Sequence, residues 1–277
     1  MAPGVDLAVH DVPGSGPAVV LLHGLASTHR WWDLVADRLP GRRVVRIDHR
    51  GHGQSSTPPG GYTIQTLAAD TAAVLGTLQL RRSVVAGHSL GATVALHLAV
   101  HRPDLVDGLC LVDGGIYDPR ILFGASWWDA QYAMRLDRRI APTPAMLTAW
   151  AHGRGLPDDA VPSLLANYQP TPANGGTGSG PVRLRLAVEH EIQLAHSLWR
   201  ADPAALLARI SVPTVAVLAH PRDPVAAATQ QRALRHTLDQ ARRPVTTRWV
   251  DGSHDLPLEQ PDHVGTAIAD LADGAET

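Results

Sequence analysis

The stretch Val84-Val85-Ala86-Gly87-His88-Ser89-Leu90-Gly91-Ala92 decides the fold. A β-branched apolar run ends in Gly-His-Ser-Leu-Gly, and an Ala/Leu-rich helical pattern follows from Ala92 to Val100. Gly-x-Ser-x-Gly between a strand and a helix predicts a nucleophile elbow, a sharp turn that holds a serine in strained backbone geometry. Gly87 and Gly91 suit such a turn because a Cβ at either place would collide with the neighbouring strand or helix. The helix N-terminus adds free N–H groups and a positive dipole end beside the hydroxyl. The motif alone also arises by chance in glycine-rich loops. Its flanking elements argue for more, as does a His-Gly pair that closes another apolar run, Ala18-Val19-Val20-Leu21-Leu22-His23-Gly24-Leu25.

Taken together these motifs resemble those of the α/β-hydrolase-fold serine hydrolases, and specifically a capped, esterase- or lactonase-like member. His23-Gly24-Leu25 resembles the family's oxyanion loop, and Asp48-His49-Arg50-Gly51-His52-Gly53-Gln54-Ser55 its Asp-x-Arg-Gly-x-Gly-x-Ser turn. Val212 to Leu218 resembles its late strand, followed by an acid, and Asp251-Gly252-Ser253-His254 its final histidine loop. The resemblance runs over nearly the whole chain and implies an α/β fold with a mostly parallel, doubly wound sheet. It also implies a helical cap inserted between the sixth and seventh strands. No motif names a substrate.

Hydrophobic patterning agrees. Strands read near 17–22, 43–47, 83–87, 107–112, 213–219 and 245–250, with 5–11 as an antiparallel edge. Helices read near 29–39, 64–78, 90–101, 225–240 and 261–273, the first capped by Ser27 or Thr28. Such alternation argues for a parallel sheet covered on both faces. The rhythm breaks after Val112. Residues 1–115 and 208–277 read as the core and 116–207 as the cap, with helical stretches at Trp127–Arg139, Pro144–His152, Asp158–Tyr168 and Val182–Trp199. A Gly/Pro-rich break at 170–181 reads equally as a surface loop or a lid hinge.

Composition bounds the function. The chain has 277 residues, enough for a sizeable core, and a net charge of −2, which favours neither nucleic acid nor an anionic membrane. One cysteine, Cys110, lies in an apolar run and reads as a buried strand residue. The N-terminus lacks the basic and apolar regions of a signal peptide, and no apolar run approaches a membrane span, so a cytoplasmic protein is expected. No His/Cys cluster has metal-ligand spacing and no Gly-rich phosphate loop follows the first strand. No metal and no cofactor are expected, and the expected partner is a small-molecule ester or lactone.

Ser89 is the candidate nucleophile. A free serine hydroxyl is weak and needs a base within hydrogen-bond reach. Among 15 histidines, His254 stands on a Gly/Ser turn after the last apolar run, at the carboxyl edge of the sheet. His88 lies inside the elbow and reads as packing; His23 reads as shaping the oxyanion loop. Asp223, after the strand that ends near Leu218, is the expected acid and gives the family's chain order. Asp113, after the previous strand, is the alternative. The amides of Leu25 and Leu90 are the expected oxyanion hole, with Ala26 a close competitor to Leu25. Trp127, Trp128, Trp150 and Trp199 in the cap read either as an apolar wall over the serine, binding substrate, or as packing that holds the cap down. Ser89 excludes the aspartate-nucleophile branches of the family. The residues leave open a thioester, a carbon–carbon bond, lyase or cyclase chemistry, and simple ligand binding.

Overall fold

The computed structural model describes residues 4–134, 136, 141–171 and 180–274. The chain opens with β1 (Val9–Val12), β2 (Gly16–Leu22), a 3-10 turn at His29–Trp32, α1 (Asp33–Ala36) and β3 (Arg42–Ile47). It continues through α2 (Ile64–Thr77), β4 (Ser83–His88), α3 (Leu90–His101) and β5 (Val106–Val112). An insertion follows: α4 (Pro119–Phe123), α5 (Trp127–Ala133), α6 (Pro144–Gly153), α7 (Val161–Leu165), β6 (Tyr168–Pro170), β7 (Val182–Leu184) and α8 (Val188–Trp199). After α9 (Pro203–Leu207) the chain closes with β8 (Thr214–Ala219), α10 (Pro224–Leu238), β9 (Thr246–Val250), α11 (Leu256–Glu259) and α12 (Pro261–Ala272).

Seven strands form one sheet in the order β1-β3-β2-β4-β5-β8-β9. All neighbours pair in parallel except β1 with β3, where Val9 stands opposite Ile47. The strands alternate as a sheet covered on both faces must. Val20, Leu22, Leu109 and Leu111 join α2, α3 and α10 in one core cluster. Val19, Leu21, Cys110 and Val112 join Trp31, Trp32 and α12 in the other. The Cys110 thiol is fully buried there, which pushes its pKa up to about 12.

Chain order reverses at β2, which lies between β3 and β4. The loops leaving β2 and β4 therefore part to opposite sides and open a crevice at the carboxyl edge, the usual place for a ligand in this class of sheet.

Some expectations change. In chain order along this sheet the insertion leaves after the fifth strand, β5, and returns before the sixth, β8, one earlier than the expected count. The expected 29–39 helix is a 3-10 turn followed by the short α1; Thr28 occupies the cap position, but its hydroxyl makes no capping bond. Val182–Leu184 is not helical: it pairs antiparallel with Tyr168–Pro170, so a small hairpin flanks the Gly/Pro-rich segment, most of which lies outside the described residues. The end of the expected Trp127–Arg139 helix lies outside them too. No helix among the described residues is long and apolar enough to cross a membrane.

Candidate active site

Ser89 sits at φ 54°, ψ −117°, between β4 and α3. Two glycines make that turn possible. A Cβ on Gly87 would come within 2.2 Å of the Gly91 carbonyl oxygen, and one on Gly91 within 2.2 Å of the Leu22 carbonyl oxygen. The elbow is also pinned from the sheet, because the Ser89 amide donates to the Val112 carbonyl at 3.0 Å. Holding a non-glycine residue at positive φ costs free energy that the surroundings must supply.

His254 Nε2 lies 3.0 Å from Ser89 Oγ, and His254 Nδ1 lies 2.7 Å from Asp113 Oδ2. A carboxylate only accepts, so Nδ1–H donates to Asp113 and the Nε2 lone pair is left to take the serine proton. Burial opposes a charge on the His254 ring, but the hydrogen bond and charge of Asp113 outweigh it and raise the histidine's pKa. For Asp113 burial works upward, and the bond and charge of His254, with the Ala219 amide, bring its pKa below the ordinary carboxylate value. Asp113 is 8% exposed, whereas the outer side of the His254 ring remains open.

The structure therefore sets Asp113, and not the expected Asp223, against His254. Asp223 is exposed and caps α10: its Oδ1 accepts the Ala226 amide at 2.8 Å, with Pro224 in the first turn. An Asp-Pro pair is a helix-start signature, the carboxylate taking a free N–H and the proline fixing φ. The same pair starts α4 at Asp118-Pro119 and α9 at Asp202-Pro203. Asp113 instead stands at φ 42° before Gly114 and Gly115. A Cβ on Gly114 would come within 2.5 Å of Ser89 Cα, so glycine there lets the acid loop close on the elbow. This Asp-Pro signal in the sequence could have separated the two carboxylates.

Asp113 has a further partner that sequence reasoning missed. The Tyr117 hydroxyl lies 3.4 Å from Asp113 Oδ1 and 2.6 Å from Gln230 Nε2. The tyrosine's proton belongs on the carboxylate side, so Gln230 presents its NH₂ group to the phenol oxygen. Burial and the Asp113 charge drive the Tyr117 pKa far upward and keep the phenol neutral.

Neutral imidazoles shape the loop after β2. His23 Nδ1 donates to the Gly24 carbonyl at 2.8 Å and its Nε2 accepts the His49 amide at 3.0 Å. His52 Nδ1 donates to the Arg50 carbonyl, and its Nε2 accepts the Ala26 amide at 3.2 Å. Burial lowers the pKa of His23 to about 4 and that of His52 to about 3. The Ala26 N–H, the competitor to the Leu25 amide, is thus already taken by His52. His88 is more than packing. Its Nε2 donates to the His254 carbonyl at 2.7 Å, and burial lowers its pKa to about 3. In the Asp48 turn, Asp48 accepts the His29 and Gln54 amides while Arg50 forms a buried pair with Asp70 at 2.6 Å. Both serve structure.

A cavity of about 460 Å³ extends from Ser89, His254 and Asp113 under the insertion. Leu122, Phe123, Ala133, Leu198, Pro119 and Pro221 form its apolar wall. None of the four expected tryptophans lines it, and that expectation is corrected. Trp128 is 80% exposed. Trp150 lies under the Arg154 guanidinium at 4.9 Å. Trp127 packs against His196 and Trp199, and Trp199 Nε1 donates to the Gly124 carbonyl at 3.0 Å, tying α8 to the end of α4. Among the described residues no group of three or more His, Cys, Asp or Glu could hold a metal ion.

The alpha/beta hydrolase fold family model matches residues 17–257. The chain belongs to that family. A crystal structure of E-2-(acetamidomethylene)succinate hydrolase superposes with a TM-score of 0.74 at 26% identity, covering 98% of this chain and 96% of the other. In sequence, the chain is 39% identical over 111 residues to the AB hydrolase superfamily protein YisY of Bacillus subtilis, 39% of this chain and 41% of the relative. It is 36% identical over 101 residues to the 2-(acetamidomethylene)succinate hydrolase of Mesorhizobium japonicum, 36% of each. The chain thus spans well under half the length of these curated relatives. A thioesterase domain from the curacin biosynthetic pathway, at 21% identity and a TM-score of 0.70, shares the fold.

Proposed function

We propose that the protein is a serine hydrolase acting by acyl transfer through Ser89, His254 and Asp113. The observation that carries this reading is the continuous relay from Asp113 to Ser89, with contacts of 2.7 and 3.0 Å. His254 takes the Ser89 proton as the oxygen attacks a carbonyl, and Asp113 holds the tautomer and supports the imidazolium. The oxyanion that forms rests against the Leu25 and Leu90 amides, each worth on the order of 3 kcal/mol to the transition state. His254 then protonates the leaving group, and water, deprotonated by the same base, releases the acyl group.

The substrate we propose is a small to medium, uncharged carboxylic ester or lactone. The cavity wall formed by the described residues is apolar, with Pro119, Leu122, Phe123 and Leu198 facing the serine side. The insertion, residues 116–207, acts as a cap that roofs this cavity. The test is labelling with an uncharged fluorophosphonate together with turnover of an ester series of increasing acyl length. Labelling at Ser89 with turnover of medium-length neutral esters supports the reading. Absence of labelling overturns it, and labelling without turnover of any ester, lactone or thioester replaces it with ligand binding.

A further inference from the structure

Both residues that flank His254 are held by one side chain from the cap. Arg154 Nη2 donates to Ser253 Oγ, lies 3.3 Å from Glu259 Oε1 and lies 3.5 Å from Asp255 Oδ2. Glu259 returns to the same loop: its carboxylate accepts the Ser253 hydroxyl at 2.6 Å and the Ser253 amide at 2.5 Å. The Asp255 amide donates to Ser253 Oγ at 3.3 Å. The loop on either side of the base thus converges on one guanidinium, 99 to 105 residues away in sequence.

Arg154 itself stands on a firm base. It is the C-cap of α6, and Gly155, at φ 77°, turns the chain out of the helix while the Leu156 amide returns to the Ala151 carbonyl at 3.0 Å. Leu147, Ala151 and Leu156 belong to the same core cluster as Trp31, Trp32 and Val250. Trp150 stacks under the guanidinium at 4.9 Å and limits where it points. A cation fixed at one end to the core and at the other to the base loop restricts how far the loop can drift. Drift matters, since misplacing a catalytic group by about 1 Å can cost on the order of a hundredfold in rate.

We propose that Arg154 is a positioning residue that keeps His254 in line between Asp113 and Ser89. This role rests on the serine-hydrolase reading above. Its ion pairs lie near the surface, so they weaken with salt: the screening length falls from about 30 Å at 0.01 M to about 3 Å at 1 M.

The experiment measures the rate at which an uncharged fluorophosphonate labels Ser89 in the wild type, Arg154→Ala and Arg154→Lys, at about 0.01 M and about 1 M salt. The reagent needs no knowledge of the natural substrate and reports base-assisted attack by Ser89. The expected wild-type rate falls about threefold to fivefold at high salt. Arg154→Ala is expected about tenfold slower at low salt and indifferent to salt, with an unchanged melting temperature. Arg154→Lys, which keeps the charge, is expected to recover most of the low-salt rate. Arg154→Ala labelling at the wild-type rate or with the wild-type salt response overturns the proposal, as does an Arg154→Lys protein no faster than Arg154→Ala. A wild-type protein that is not labelled at all overturns the hydrolase reading itself, so the two failures are distinct.

Discussion

Asp113 and Asp223 have matching addresses. Each follows the carboxyl end of a parallel strand, β5 and β8, and those strands are hydrogen-bonded neighbours. Yet one carboxylate is nearly buried and bonded to His254, while the other is exposed and spent on the first turn of α10. The difference lies in the residues that come next. Gly114-Gly115 after Asp113 offers no helix start and lets the loop fold tightly against Ser89, whereas Pro224 after Asp223 starts a helix that claims the side chain. A strand end thus supplies a place for an acid, and the following residues decide whether it is free to act as one.

The largest expected effect tests whether Asp113 acts through Ser89. Ser89→Ala should lower kcat by about 10⁶, and adding Asp113→Asn to that variant should cost almost nothing more, because parts of one relay are not additive. A further large drop in the double variant would mean that Asp113 serves the reaction by some other route.

Acid should next test the buried histidines around Ser89. The loops facing Ser89 depend on neutral His23, His52 and His88, whose pKa values are depressed to about 4, 3 and 3. In the unfolded chain these imidazoles bind protons below about pH 6.5, so between that value and the folded pKa the unfolded state holds more protons and stability falls as pH falls. Each contributes a loss of roughly 1.4 kcal/mol per pH unit in that window. Unfolding free energy measured from about pH 7 to about pH 4 should decline steeply, and more gently in His52→Gln. A flat profile would mean that these rings are not held neutral.

Smaller effects should fall on the supports of each acid. Tyr117→Phe removes a hydroxyl from Asp113 and should lower kcat about fivefold with little change in KM. Asp223→Ala should leave kcat within about twofold and cost about 1 kcal/mol of stability, the usual price of a lost helix cap. The reverse pattern, with activity lost at Asp223 and only stability lost at Asp113, would reassign the acid.

Much of this arrangement was legible in the sequence. The elbow, the His23-Gly24 loop and the His254 loop are contiguous motifs that a short stretch of sequence displays whole, and the alternating strands carry their own periodicity. The acid was not, because both candidates end a strand and only the Asp-Pro start of α10 separates them. The tryptophans were not, because a large aromatic reads the same whether it lines a cavity or pins two helices. The wall of the cavity comes instead from Leu122, Phe123 and Leu198, on α4 and α8, brought together by tertiary packing that no local pattern announces. Gln230 and Arg154 reach their partners across long sequence separations, and Tyr117, though only four residues from Asp113, carries no motif either.

The most direct test of the central claim is the rate at which an uncharged fluorophosphonate labels Ser89 across pH in wild type, Asp113→Asn and Asp223→Asn. The Asp113 hydrogen bond and charge raise the His254 pKa. The acid limb of the wild-type profile should therefore lie above the ordinary histidine value of about 6.5. Asp113→Asn should slow labelling by about 10⁴ and move any residual acid limb to lower pH, while Asp223→Asn should trace the wild-type curve. A wild-type curve from Asp113→Asn, or a comparable collapse in Asp223→Asn, would contradict the account.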